Sequence, residues 1–255
     1  MGAEMAARIL NIGLFCGAMM ALLGAACSHE PSLPGSKAER LVVLLDDSPR
    51  NLDPRFAADA TSMRVSRLIF SSLISVDNPE LEPQLDLAAK MPEMDPKDPR
   101  RWVVTLRKGA FWHDGAAVTA HDVVYTVESV MNPELGSPFR DPYQAHIERV
   151  EALSDTQVLF VLKAPYATFM TDLVLGIVPK HLCEPNSDRF PEGQYVGSGP
   201  FRFVQRVGER RVDLERNEQA YGGVPYVKHL VFRVIRDEGT RLLSLMGGSG
   251  DLMQN

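Results

Sequence analysis

Residues Leu106 to Val124, LRKGAFWHDGAAVTAHDVV, decide the fold, because they hold a strand end, a sharp turn and a helix start. From Trp102 to Arg107 the residues alternate, with Trp102, Val104 and Leu106 on one face and Val103, Thr105 and Arg107 on the other. That is the period of a half-buried strand. Gly109 and then His113-Asp114-Gly115 supply turn chemistry, since Gly tolerates positive φ and Asp bonds its own backbone ahead. Thr119 reads as a helix N-cap, and Asp122 three residues later closes a capping box. Val123, Val124, Val127 and Val130 then share one helical face. Two His-Asp pairs in this stretch, His113-Asp114 and His121-Asp122, raise metal ligation or general-base chemistry as alternatives. The turn and the cap account for both carboxylates, and no chelating His-x-x-x-His pair is nearby, so the stretch is read as scaffold.

Outward from this core, Ile147–Leu153 and Gln157–Lys163 flank Ser154-Asp155-Thr156 and predict an antiparallel hairpin. Leu41–Leu45 is continuously apolar, as a strand buried on both faces of a parallel sheet would be. The loop that follows, Ser48 to Pro54, is a candidate binding edge, because ligands of open α/β sheets sit beyond strand carboxyl ends. A turn merely capped by Asp53 is the alternative. Helices are expected over Met63–Leu73 and Tyr166–Leu175, a turn plus a helical turn over Glu80–Lys90, and an exposed loop over Pro92–Arg101. Phe201–Val207 and Arg211–Arg216 read as a second hairpin. Leu230–Ile235, Thr240–Met246 and Asp251–Met253 read as strand, helix and return strand.

The opening of the chain looks like a targeting segment. Ile9–Ala26 is apolar or small apart from Asn11, Arg8 precedes it, and Leu23-Gly24-Ala25-Ala26-Cys27 ends it. Residues 1–26 are expected to be a signal peptide, with Cys27 as the lipidated first residue of an exported, membrane-tethered chain. A plain secretory peptide or a retained anchor is the alternative. Residues 27–38 form a flexible tether. Of the 255 residues 45% are hydrophobic, enough for a full core. Net charge is −6 with no Lys/Arg cluster, which argues against nucleic acid as a partner. Cys183 stands alone beyond Cys27, so no internal disulfide is expected.

The segment LRKGAFWHDGAAVTAHDVVYTVE resembles the signature of family 5 extracellular solute-binding proteins, the peptide receptors of bacterial ABC importers. Asn51-Leu52-Asp53-Pro54, Val178-Pro179-Lys180-His181, Gly197-Ser198-Gly199-Pro200-Phe201 and NEQAYGGVPY at 217–226 extend the likeness in the family's order. Departures are a missing Trp near Ala89-Lys90, a second missing Trp beside Tyr221, and Phe139 where relatives carry Tyr after Ser-Pro. The resemblance implies an α/β fold: a type II periplasmic-binding-protein-like lobe, a mixed sheet with flanking helices, plus an inserted antiparallel α+β subdomain, with the second lobe missing. Residues 39–70 and 165–255 would form the lobe and 71–164 the insert.

The implied function is capture of di- or oligopeptides outside the cytoplasmic membrane for delivery to ABC permease subunits. Ala58, Asp59, Ala60, Thr61, Phe139, Ser198, Gly199 and Pro200 are the implied ligand contacts. Nickel chelates, haem and sugars are other cargoes of the resembled family. A truncated or split receptor without transport activity is the main alternative. A secreted hydrolase is a further one, but the sequence has no nucleophile elbow or metal pair. No catalytic residue, cofactor or metal is expected.

Overall fold

The structure is a computed structural model and describes residues 39–254 apart from 77, 81 and 192, so the targeting segment, the tether and Cys27 lie outside the described residues. The apolar run becomes strand β1 (Arg40–Leu45), whose last four residues are buried. Helix α1 (Ala60–Ile69) follows, three residues earlier than the apolar spacing predicts. The reason is Asp59, whose side chain accepts from the Ser62 backbone N–H at 2.8 Å and so fixes the N-cap one turn upstream. The helix stops at Ile69 rather than Leu73, and Leu73 is drawn into backbone pairing with Leu173.

Short strands β2 (Ile74–Ser75) and β3 (Gln84–Leu85) pair antiparallel, in place of the helical turn expected within Glu80–Lys90. The expected loop Pro92–Arg101 is instead largely a hairpin, with β4 (Glu93–Asp95) against β5 (Asp98–Thr105). Its charged composition reflects an edge position, since β4 is the outer strand of its sheet and mostly exposed. Helix α2 (Ala120–Met131) starts at Thr119 as read, and α3 (Arg140–His146) leads into the hairpin β6 (Ile147–Ser154) and β7 (Gln157–Leu162). Residues Phe169–Val174 form a 3-10 helix rather than the longer helix expected, and Lys180–Cys183 form the short α4. The chain ends with β8 (Phe201–Val207), β9 (Arg211–Arg216), β10 (His229–Val234), α5 (Glu238–Met246) and β11 (Leu252–Met253).

Two principal sheets result. One is mixed, in the order β11-β1-β10-β9-β8, with β1 parallel to both its neighbours and the β8-β9-β10 meander antiparallel. The other is antiparallel, β4-β5-β7-β6, and lies wholly within the segment that separates β1 from β8. Each sheet has its own core. Trp112, Val123, Val127, Phe160 and Phe169 pack at the antiparallel sheet, while Val43, Leu45, Val65, Ile69 and Phe232 pack at the mixed one. Among the described residues no helix is long and apolar enough to cross a membrane. Helix α5 leaves Leu243 and Met246 70% and 77% exposed, an apolar edge beside β11.

Candidate functional site

The central stretch is built as a joint between the two sheets. Asp122 accepts from the Thr119 backbone at 2.8 Å and from its hydroxyl at 3.0 Å, and its other oxygen accepts from the Lys180 backbone N–H at 2.9 Å. Thr126 adds a second tie, receiving the Val178 N–H at 3.0 Å. Asp114 closes its turn by accepting from Ala116 N–H at 3.0 Å and pairs with the exposed His181 at 2.7 Å. Burial holds Asp114 back from ionising, but its bonds to His181 and Ala116 outweigh that and keep its pKa below the usual range.

His113 is held from three directions. Its backbone N–H donates to Gly197 O at 2.8 Å, Nε2 donates to Gly199 O at 3.0 Å, and Nδ1 accepts from Gly197 N–H at 3.3 Å. One ring nitrogen donating and the other accepting is the pattern of a neutral imidazole. Burial pushes its pKa down to about 4, against the carbonyl contact that favours the cation. Among the described residues no group of three or more His, Cys, Asp or Glu is placed to hold a metal. His113, Asp114 and Asp122 are each taken up in bonds that hold this joint, and His121 lies exposed, 3.7 Å from Asp155.

The loop after β1 is equally committed. Arg55 is fully buried and grips Asp53 through Nε at 3.0 Å and a terminal nitrogen at 2.7 Å. Its other terminal nitrogen donates to Ser129 Oγ at 3.1 Å, and Ser137 Oγ donates to Arg55 O at 2.7 Å. Asp53 is therefore half of an internal ion pair and also caps its own turn, its Oδ1 accepting from Arg55 N–H at 3.0 Å. The helix cap is Asp59, whose second oxygen accepts from Ser62 Oγ at 2.6 Å. That hydroxyl oxygen in turn receives the Arg50 N–H at 2.8 Å. Burial opposes ionisation of Asp59, and the Ser62 bonds overcome it to lower its pKa. Ala58 and Ala60 flank it, exposed, while Thr61 is buried on the inner face of α1.

The Gly197–Pro200 turn approaches α1 rather than open space. Gly199 N–H donates to Ile69 O at 2.9 Å, and a Cβ at Gly197 would lie 1.8 Å from that same oxygen. The glycines are thus required by close packing on a helix end. Asn217 locks the turn from the other side, donating to Gly199 O at 3.2 Å through its side chain and to Pro200 O at 2.8 Å through its backbone.

Clefts open around the exposed side of α1. One of about 240 Å³ is lined by Ser198, Gly199 and Pro200 together with Arg67, Ser71 and Tyr221. Ser198 Oγ is buried there without a hydrogen-bond partner among the described residues. A second, of about 220 Å³, is walled by Phe139, Met63, Pro54 and Pro142, with Asp172 and Arg67 on its lining. A third, of about 40 Å³, lies where Arg67, Asp86 and Gly176 meet. Arg67 borders all three. Phe139 and the Ser198–Pro200 turn therefore fall in different clefts that share one arginine, and Ala58, Asp59, Ala60 and Thr61 line none of the three. Asp86 accepts from the Tyr221 hydroxyl and from Ser72 N–H at 2.8 Å; burial raises its pKa, only partly offset by these bonds. Arg107 lies 4.6 Å over the Tyr221 ring. Sequence reasoning missed Arg67, Asp86 and Asp172. Arg67 was legible only as a basic residue late in a helix, which the helix dipole explains without a ligand.

Comparison with known proteins agrees with this architecture. Residues 82–255 match the family model described as bacterial extracellular solute-binding proteins, family 5 Middle. Protein XP55 of Streptomyces lividans is 32% identical over 219 residues, covering 84% of this chain and 39% of that protein. The solved oligopeptide-binding protein AppA of Bacillus subtilis, in complex with a nonapeptide, superposes with a TM-score of 0.76 at 26% identity, covering 87% of this chain and 44% of AppA. NikZ of Campylobacter jejuni, in complex with Ni(L-His), gives 0.76 at 27% identity, over 86% of this chain and 43% of NikZ. The chain spans less than half the length of the relatives it matches. Its mixed sheet, its antiparallel sheet and its ordered motifs place it in family 5 of the bacterial extracellular solute-binding proteins, to which the chain belongs.

Proposed function

We propose that the chain supplies one wall of a peptide receptor that works outside the cytoplasmic membrane and delivers di- or oligopeptides to an ABC permease. The observation that carries this reading is the placement of Phe139 and the Ser198–Pro200 turn in separate clefts that meet at Arg67. An extended ligand lying across α1 reaches both, with alternate side chains entering alternate clefts. Relatives support peptide as the cargo: AppA and the OppA of Salmonella typhimurium are both named for oligopeptide binding. In this reading residues 39–70 and 165–255 form the ligand-facing lobe and 71–164 an insert. Ala58, Asp59, Ala60 and Thr61 serve as the wall beside the Phe139 cleft, with Asp59 acting through the loop it fixes. Cys27 is the lipid anchor that keeps the receptor at the membrane.

Calorimetry of the purified chain against a mixed di- to pentapeptide library, with Ni(L-His) in parallel, tests the cargo. Peptide binding weakened by Phe139→Ala and by Ser198→Val is expected. Binding of the nickel chelate with no response to any peptide would overturn it. The anchor is tested separately by radioactive fatty-acid labelling of cells, where Cys27→Ser is expected to abolish incorporation.

A further inference from the structure

Asp172 stands apart from every other acid on the cleft walls. It borders the 220 Å³ cleft, and its Oδ2 is buried without a hydrogen-bond partner among the described residues. The backbone there is held firmly: the Tyr143 hydroxyl donates to Asp172 O, and Leu73 N–H donates to Leu173 O at 3.2 Å. The carboxylate is therefore presented by a fixed segment. His146 is the basic group whose charge bears on it, and that ring is stacked on Tyr166 at 3.9 Å between centroids. Burial raises the Asp172 pKa, and the His146 charge does not restore it. A carboxylate left in this state costs free energy that an incoming cation with N–H donors would recover.

The rest of the cleft fits the stem of such a cation. Phe139, Met63, Pro54 and Leu175 give it apolar walls, and its volume falls below the roughly 300–1,000 Å³ of whole-ligand pockets. It is the scale of one side chain. We propose that this cleft is a subsite for a basic side chain of the bound peptide, its aliphatic stem against Phe139 and Met63 and its charged head on Asp172. This inference rests on the peptide reading and adds a preference to it.

Tripeptides of alanine with lysine, norleucine or glutamate at each position in turn are titrated calorimetrically into the full chain and into Asp172→Asn. At one position lysine is expected to bind at least tenfold more tightly than norleucine, and Asp172→Asn should erase that difference while leaving the norleucine peptides unchanged. Equal binding of lysine and norleucine at every position overturns the subsite and leaves the peptide reading standing. So does a lysine preference that survives in Asp172→Asn. If no tripeptide binds, n-butylammonium and 1-butanol are compared by chemical-shift changes at residues 171–176. Shifts with the ammonium alone, lost in Asp172→Asn, support the basic subsite; an absence of shifts overturns it, and the peptide reading is decided by the comparison with Ni(L-His).

Discussion

Asp53, in the loop after β1, and Asp172, in the 3-10 helix Phe169–Val174, are both carboxylates near α1, and the protein treats them in opposite ways. Asp53 is 5% exposed and both its oxygens are taken by Arg55 at 2.7–3.0 Å. Asp172 keeps an oxygen buried at a cleft wall with no partner among the described residues. A group that serves the fold closes its own hydrogen bonds, because an unmet buried polar atom is expensive. A group left open beside a cavity has its partner elsewhere. The same contrast separates His113, held at both ring nitrogens, from Ser198, whose hydroxyl lines a cleft unpaired.

The closed side of the comparison predicts the largest loss. Arg55→Ala strands Asp53 in a site that admits almost no water, so the variant is expected to lose about 3–5 kcal/mol in urea unfolding. A loss below about 1 kcal/mol would mean that the pair is solvated and the contrast with Asp172 is false. His113 comes next. Its folded pKa of about 4 lies below the 6.5 of the unfolded chain, so the unfolded state binds the extra proton between those values. The stability this group contributes is complete above pH 6.5 and is lost as pH falls towards 4, by up to about 3 kcal/mol at 1.36 kcal/mol per unit. Unfolding curves across that window should show a steeper decline for the wild type than for His113→Gln. Parallel slopes would show an imidazole that stays solvated.

How much of this was legible beforehand follows from which interactions are local. The strand through Trp102–Thr105, the Thr119–Asp122 box and the β6–β7 hairpin depend on residues within a few positions of one another, and sequence spacing displays them. The β4–β5 hairpin was misread because the edge strand that pairs with β5 carries charges that look like a loop. The start of α1 was displaced because its buried face carries Thr61, Ser62 and Ser66 beside Val65 and Ile69, so apolar spacing undercounts it. Asp172 was invisible for a different reason. What distinguishes it is an absent partner, and absence is decided by Phe139, Tyr143 and Leu73, far away in the chain.

Gly197 offers an intermediate effect that tests the packing account of the glycine turn. A Cβ there meets Ile69 O at 1.8 Å, so Gly197→Ala must push the turn off α1, at a cost of about 1–3 kcal/mol or more. Because His113 is bound to the same turn, its ring should become accessible in the variant, with its imidazole pKa rising towards 6.5 by NMR titration. A stable variant with an unmoved His113 would return the glycines to the ligand.

The smallest effect is the most informative. Asp172→Asn removes a charge that the folded protein does not compensate, so it should cost no more than about 0.5 kcal/mol, the range for positions without a specific interaction. The sign with pH sharpens this. A carboxyl whose folded pKa is raised keeps its proton in the native state over a window above 3.8, where the unfolded chain has released it. Wild-type stability therefore falls, relative to the asparagine variant, as pH rises through that window. At neutral pH Asp172→Asn should be at least as stable as the wild type, whereas Asp53→Asn should be clearly less stable. A loss for Asp172→Asn comparable to that for Asp53→Asn would mean that Asp172 has a structural partner after all, and both the comparison and the basic subsite would fall with it.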